Sequence, residues 1–365
     1  MKRYAGTVVQ VALIQFTVAC TVIDRDALTY PDAVWVPVVV ADVETTPVAS
    51  ADDAADDPAI WINPVDPAAS LVLGTDKQSG IAVYTLDGGL LQFQPLGEPN
   101  NIDLRQGVVV GDWQGDLAVA SNRADNSISL LSVYAAGVKP IGGFAAGLDE
   151  PYGICMGIND ARALVFVTYK TGEVQVHRLQ NIRDSVRQQQ IQTLRFASQL
   201  EGCVFDDARG VLYVGEENTG VWRVELTGSA FDAPVLVDAV GGPNGLAADV
   251  EGLALYIAGE AGYLVVSSQG NDSFAVYTRD DPNSFVGRFR IGSAPTGGID
   301  GAQETDGLEV TSHSLGPDYP VGVLVVQDGY NAPAGTPQNF KLVDWRKVEA
   351  MLGEAVSGQG GGRVQ

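Results

Sequence analysis

Oxygen-bearing side chains recur along the chain, each directly before a short apolar segment. The intervals between neighbours are 46, 49, 49, 50 and 55 residues. The six residues are Asp57, Asp103, Tyr152, Glu201, Glu251 and Asp306. If equivalent strands of a repeat carry them to one rim of the molecule, five carboxylates and a phenol converge there. Such a set of oxygen ligands suits hard cations such as calcium.

The elements that must position these residues are short strands. A recurrence near fifty residues is typical of the four-stranded blades of a β-propeller. Second strands are predicted from Leu71, Leu117, Leu164, Leu212, Tyr263 and Val323, and third strands from Gly80, Ser127, Glu173, Gly220, Ser273 and Asn339. The sequence therefore predicts an all-β fold, a six-bladed β-propeller.

The ends of the second strands add charge to the same rim, because an antiparallel partner ends where the first strand begins. The first three blades offer cations, namely Lys77, Arg123 and Lys170, which can bind phosphate. Later blades offer acids that can hold a metal ion: Glu201, Glu217, Asp249, Glu251 and Asp306. Taken singly, each is more often a surface charge. The separation of sign by blade favours a functional site.

Composition limits the classes of partner. The formal net charge of −23 argues against nucleic acid and anionic membranes, which demand clusters of Lys and Arg. The 43 Gly and 18 Pro residues fit a globular chain with many tight turns. Calcium is the more natural companion, although most of the 45 acidic residues need only keep an exported protein soluble.

The two chain ends predict a signal peptide at the N-terminus and a tail at the C-terminus. Lys2 and Arg3 precede an apolar run that ends at Cys20, so residues 1–20 are interpreted as a signal peptide, with a lipoprotein signal as the alternative. Residues 21–56 are expected to form an extension or linker, with a candidate closing strand at 34–40. The propeller is predicted over 57–352, with a short helix over 343–352 and a disordered tail at 353–365. We expect an exported monomer without a transmembrane span.

Nucleophile and cofactor motifs do not occur. The two histidines lie outside any motif, and no P-loop, dinucleotide fingerprint, nucleophile elbow or zinc pattern is present. Cys155 and Cys203 fall one residue out of register on consecutive inner strands. We expect two buried free thiols there rather than a bridge.

Between residues 56 and 345 the chain resembles the β-propeller phytases, also called alkaline phytases. The segments that carry the resemblance are DDPAIWINP, DKQSGIAVYTLDG, NNIDLR, SNR, YGI, EGCVFDDARGVLYVGEEN, DVEGLALYIA, SSQGNDSFAVY, ETDGLEV and VVQDG. The resemblance implies a six-bladed propeller that binds several calcium ions, structural and catalytic, and hydrolyses calcium phytate. Cys203 departs from the family, which usually has a plain apolar residue at that position.

The resemblance also implies roles for individual residues. Lys77, Arg123 and Lys170 are similar to the family's phosphate-binding cations, and Asp103 and Gln269 fall in matching motifs as further substrate-binding candidates. Catalytic calcium ligands and acid/base groups correspond to Tyr152, Glu201, Glu217, Asp249, Glu251 and Asp306. Ligands of stabilising calcium correspond to Asp57, Asp300 and Asp328.

The hypothesis that follows is direct attack on phosphorus by water that calcium activates, with Lys77, Arg123 and Lys170 stabilising the phosphate oxygens. The substrate is expected to be phytate as its calcium complex, because a chain with a charge of −23 repels the bare anion. Two alternatives stay open: a calcium-dependent propeller lactonase or esterase, and a propeller that only binds protein.

Overall fold

The computed structural model describes residues 36–183, 185–295 and 297–359, and side chains as far as residue 353. The predicted signal peptide lies outside the described residues. Within the described part, no helix is long and apolar enough to cross a membrane.

Two short strands come first, β1 (Val38–Val40) and β2 (Val43–Glu44). Blade 1 contains β3 (Ala55–Trp61), β4 (Leu71–Asp76), β5 (Gly80–Thr85) and β6 (Leu90–Pro95). Blade 2 contains β7 (Pro99–Val110), β8 (Trp113–Asn122), β9 (Ser127–Tyr134) and β10 (Gly137–Ala145). Blade 3 contains β11 (Pro151–Asn159), β12 (Arg162–Tyr169), β13 (Glu173–Asn181) and β14 (Arg187–Arg195).

Blade 4 contains β15 (Leu200–Asp206), β16 (Val211–Glu216), β17 (Gly220–Thr227), β18 (Ala230–Phe231) and β19 (Val235–Ala239). Blade 5 contains β20 (Val250–Ala258), β21 (Ala261–Ser268), β22 (Ser273–Thr278) and β23 (Phe285–Gly292). Blade 6 contains β24 (Leu308–Thr311), β25 (Val323–Asp328) and β26 (Asn339–Asp344). Two 3-10 turns lie at Pro67–Ala69 and Gln269–Asn271. The six sheets confirm the predicted six-bladed β-propeller.

The N-terminal segment closes the ring. Strand β2 pairs antiparallel with β26 and becomes the outer strand of blade 6, with Glu44 opposite Lys341. Strand β1 adds a parallel fifth strand to blade 5 by pairing with β23. The extension therefore supplies two strands, the first of them inside the predicted 34–40 segment. Because blade 6 combines both ends of the chain, opening the ring requires breaking a sheet.

The hydrophobic core lies between neighbouring blades. Every residue of β4 is buried, because both faces of a second strand pack on adjacent blades, whereas the outer strand β6 is largely exposed. One such cluster joins Leu73 and Val83 of blade 1 to Leu104 and Leu131 of blade 2. Burial on both faces explains the continuous apolar runs that predicted the second strands.

The terminal helix α1 (Trp345–Gln359) begins inside the predicted segment and runs beyond its predicted end. Its first residue, Trp345, is buried and stacks on Tyr256 with ring centroids 4.2 Å apart. Residues 353–359 are therefore helical where a disordered tail was predicted, and 360–365 lie outside the described residues.

The prediction of two free thiols was wrong, because Cys155 of β11 and Cys203 of β15 form a disulfide. Their Cα atoms lie 5.7 Å apart, within the range that a bridge requires. Both inner strands carry a β-bulge just before the cysteine, which shifts the local register. An offset of one residue in sequence therefore did not separate the two side chains.

Candidate functional site

One β-bulge recurs at the start of the inner strands of blades 1 to 5, and the first regular pair of each inner strand defines equivalent positions around the ring. These pairs are Pro58–Gly74, Ile102–Ala120, Ile154–Val167, Cys203–Val214, Leu253–Val266 and, at the start of β24 in blade 6, Leu308–Val326. The residues two positions earlier in the chain are Asp56, Asn100, Tyr152, Glu201, Glu251 and Asp306. Four of the six predicted rim residues hold this position. In blades 1 and 2 the equivalent residues are Asp56 and Asn100, so sequence reasoning missed both.

Asp57 and Asp103 instead face the central channel, where they join neighbouring blades. Asp57 Oδ2 accepts a hydrogen bond from the backbone N–H of Ile102 (3.0 Å), and Asp103 Oδ2 accepts one from Met156 (2.7 Å). Asp103 also accepts from the guanidinium of Arg105 (3.1 Å). The structure does not bring Asp103, a predicted substrate-binding residue, to the rim.

The acidic half of the rim is a buried carboxylate cluster formed by Glu201, Glu217 and Glu251. One carboxylate oxygen from each lies within 4.8 Å of the others. Burial, followed by the charge of Asp56, raises the pKa of Glu201 to about 7. Burial and then Glu201 raise the pKa of Glu251 well above its usual value. Three carboxyl groups held this close repel one another until a cation or protons compensate them.

The acidic cluster also contains an unpartnered acceptor. Within the described residues, Glu251 Oε2 and Asp56 Oδ1 are buried and lack hydrogen-bond partners. A buried polar oxygen without a partner calls for a ligand. Calcium takes six to eight oxygen ligands, and carboxylates are among the groups that supply them. The cluster of Glu201, Glu217 and Glu251 therefore fits this ion.

Neighbouring amides and Tyr152 orient the cluster. Asn100 Nδ2 donates to Glu201 Oε1 across the channel (2.9 Å), and Gln199 Nε2 donates to Glu217 (2.5 Å). The ammonium of Lys170 lies 4.3 Å from the ring centroid of Tyr152. Burial and the charge of Glu201 raise the pKa of the Tyr152 phenol, so it stays protonated. Asp249 lies near enough to add to the repulsion that raises the pKa of Glu217, after burial.

The cationic half begins at Lys77, where blade 1 meets blade 6. Its ammonium lies 2.8 Å from Asp53, 3.2 Å from Asp56 and 3.3 Å from Asp306. Burial and Asp56 raise the pKa of Asp306, and Lys77 opposes both effects. The acidic and cationic halves of the rim therefore meet at the ion pair between Lys77 and Asp306.

Two further predicted rim residues contact this junction. An N–H of Arg123 donates to the backbone oxygen of Lys77 (3.4 Å). Gln269 Nε2 donates to Asp306 Oδ1 (2.5 Å). The structure therefore brings Lys77, Arg123 and Gln269 to one rim, and Lys170 joins them through Tyr152.

Asp300 and Asp328 lie apart from this cluster, around the buried ammonium of Lys341. That ammonium contacts Asp300, lies 3.2 Å from Asp328 and 2.7 Å from Glu44 of the closing strand. Asp328 Oδ1 also accepts from the backbone N–H groups of Gln303 and Tyr330, both at 3.2 Å. Lys341 thus compensates Asp300 and Asp328 in the way that Lys77 compensates Asp56 and Asp306 at the rim.

Comparison with known proteins places this geometry in a family. The family model described as Phytase matches residues 6–359. The 3-phytase of Bacillus subtilis (strain 168) is 37% identical over 331 residues, covering 87% of this chain and 86% of that protein.

Two solved structures show a weak likeness. One is a functionally unknown protein from Desulfotomaculum acetoxidans DSM 771, with a TM-score of 0.46 and 16% identity over 64% of this chain and 71% of that chain. The other is BBS1N in complex with ARL6DN, soaked with lead, with a TM-score of 0.48 and 12% identity over 78% of each chain. Neither adds to the assignment. The sequence match and the six-bladed ring together show that the chain belongs to the phytase family.

Proposed function

We propose that this protein is a calcium-dependent phytase that removes phosphate from the phosphomonoesters of phytate. One observation carries the proposal: a buried cluster of Glu201, Glu217 and Glu251 shares a rim with the cations Lys77 and Lys170. Phytate needs cations for its phosphates, and the acid cluster needs cations for its carboxylates. Calcium between them satisfies both.

The residues that would hold calcium are the rim acids Asp56, Glu201, Glu217, Glu251 and Asp306, with Asp249 and the phenol of Tyr152 beside them. When bound there, calcium neutralises phosphate charge and makes water a stronger nucleophile. We also propose a stabilising role for calcium at Asp57, Asp300 and Asp328. Lys341 already forms ion pairs with Asp300 and Asp328.

The chain's own groups supply binding and proton transfer. Lys77, Arg123 and Lys170 bind the phosphate oxygens and stabilise the charge that develops on them. Burial and Asp56 raise the pKa of Glu201 to about 7, and a cation bound beside the carboxylate would lower it again, so Glu201 is ionised at neutral pH and can accept a proton from the attacking water. Asn100 holds Oε1 of this carboxylate in place. His177 contacts Gln175 and Gln188 on blade 3, and His313 contacts Thr311, so neither histidine is bonded to a rim residue that the structure describes. Direct attack by water is proposed because no histidine of the described residues is placed there to act as the nucleophile.

Export is proposed as well. A disulfide between Cys155 and Cys203 is typical of proteins that fold in an oxidising compartment. The arrangement agrees with the predicted signal segment at the N-terminus, and we propose a monomer because the six blades already close the ring.

The test is phosphate release from phytate with added calcium and with EGTA, beside a lactone substrate. We expect release only with calcium and no lactone hydrolysis. Glu201→Gln should lose most of the turnover, whereas Glu260→Gln on an exposed turn should keep it. Phosphate release that persists in EGTA would refute calcium dependence. Lactone hydrolysis without phosphate release would replace the proposed reaction by that of a lactonase.

A further inference from the structure

The disulfide joins two blades beneath the rim. Cys155 lies in β11 of blade 3 and Cys203 in β15 of blade 4, so the bond links strands of different sheets. Both side chains are almost buried, with relative exposures of 1% and 7%. The two cysteines are 48 residues apart in sequence, and the segment between them contains the other three strands of blade 3, β12, β13 and β14. The bond therefore fastens blade 3 to blade 4 as a unit.

The seam directly above the bond carries rim residues from both blades. Cys155 follows Tyr152 by three residues, and Cys203 follows Glu201 by two. A Cβ placed on Gly153 would lie 1.9 Å from the backbone oxygen of Glu201, so the two backbones approach closely. Thr168 Oγ1 donates to the same oxygen (2.7 Å). A small shift of blade 3 would move Tyr152 against Glu201.

The seam between blades 2 and 3 has a hydrogen bond at the position that the disulfide occupies between blades 3 and 4. Asp103 and Cys155 hold equivalent positions, because they pair with Val119 and Phe166 at the same step of their second strands. Asp103 reaches blade 3 through a hydrogen bond to the N–H of Met156 (2.7 Å). Cys155 reaches blade 4 through a covalent bond. The seam between blades 3 and 4 is thus held covalently where its neighbour uses a carboxylate.

We propose that the Cys155–Cys203 disulfide is a positioning element for the rim, holding Tyr152 and Lys170 of blade 3 against Glu201 and Glu217 of blade 4. The inference rests on the proposed function in assigning calcium and phytate to these residues. Reduction by dithiothreitol breaks the S–S bond and leaves one thiol on each cysteine, while the reagent's two thiols become a disulfide. Because the reduced pair fills nearly the same volume, the change isolates the covalent link from packing.

The experiment compares oxidised and fully reduced wild-type protein, with thiols counted after alkylation in parallel samples. Hydrogen exchange should become faster in β11–β14 of the reduced protein and stay unchanged in β25 of blade 6. Calcium affinity, measured by calorimetry without substrate, should fall about tenfold, as for other groups that orient metal ligands. KM for calcium phytate should rise more than kcat falls, and reoxidation should restore both.

A matched variant separates the bond from the reagent. Cys155→Ala with Cys203→Ile introduces residues found at equivalent positions of other blades, Ala254 and Ile102. It should resemble the reduced protein and ignore dithiothreitol. Equal exchange in β11–β14 and equal calcium affinity in the oxidised and reduced forms would overturn the inference. Since neither readout uses phytate, an oxidised protein that binds calcium but releases no phosphate would refute the proposed function instead.

Discussion

The substitution Lys77→Met removes the cation at the junction of the two halves of the rim. The ammonium lies within 3.3 Å of Asp56 and Asp306, and the side chain of Asp56 is only 2% exposed. Burial raises the pKa of both acids, and Lys77 is the principal group that opposes this shift. Without it, two buried carboxylates lose their partner while the methionine still fills the space of the stem.

The structure sets the size of the effect. Breaking a buried ion pair by removing one partner costs about 3 kcal/mol or more, because the remaining charge stays uncompensated. In a domain of this size, 3 kcal/mol corresponds to a Tm lower by roughly 4 °C. We expect this loss in EGTA at pH 7 and a smaller loss with calcium, since calcium compensates the same carboxylates. KM for phytate should rise because a phosphate-binding cation is missing.

Differential scanning calorimetry in EGTA and in calcium gives both Tm values, and phosphate release gives KM. Lys139→Met on the exposed face of β10 is the matched control and should leave both quantities unchanged. A Lys77→Met protein with the wild-type Tm in EGTA would show that Lys77 does not compensate Asp56 and Asp306. An unchanged KM would show that it does not bind phosphate.

Three further substitutions probe the channel and the seam. Burial and then Asp103 raise the pKa of Glu309 to about 8, so its contribution to stability is complete below its unfolded pKa and disappears as the pH rises through 8. Glu309→Gln should therefore flatten the dependence of Tm on pH between 5 and 9 in EGTA, as measured by calorimetry; parallel curves would contradict this. Gly153→Ala should separate β11 from Glu201 and lower Tm and activity, unlike Gly353→Ala, whose Cβ meets no atom within 4 Å; an unchanged Tm would refute the close approach. Asn100→Ala should weaken calcium binding about tenfold in a calorimetric titration, since Glu201 loses the donor that orients it, and an unaltered affinity would deny that role.

The scaffold could be predicted because its signals are local. Third strands begin at the predicted residues in all six blades. Second strands do so in blades 1 and 6, whereas β8, β12, β16 and β21 begin one to four residues earlier, at Trp113, Arg162, Val211 and Ala261. Apolar runs reveal second strands because these are buried on both faces, and turn residues mark their ends. The rim cations Lys77, Arg123 and Lys170 followed from antiparallel pairing alone.

The register of the inner strands in blades 1 and 2 could not be predicted in this way. The bulge before Pro58 and Ile102 leaves no trace in the apolar pattern, and Asp57 and Asp103 are acids close to the expected spacing. Asp56 and Asn100 become apparent only when the six segments are aligned on their first regular pair, which the structure supplies. The amide of Asn100 also lacks the charge that distinguishes the acidic rim residues in the sequence.

Contacts between residues far apart in the chain could not be predicted from the sequence. Lys341 lies among Glu44, Asp300 and Asp328 only because the N-terminal strand joins blade 6, a pairing that spans almost the whole chain. The disulfide depends on how closely two inner strands approach near the axis, which periodicity does not report.

Calcium binding to the rim is the central claim, and isothermal titration calorimetry measures it directly. Calcium is titrated into metal-stripped wild-type protein, into Glu251→Gln and into the exposed control Glu260→Gln. Because Glu251 Oε2 is a buried acceptor without a partner, Glu251→Gln should weaken rim binding about tenfold or abolish it, while the control matches wild type. Identical isotherms for Glu251→Gln and wild type would contradict the account.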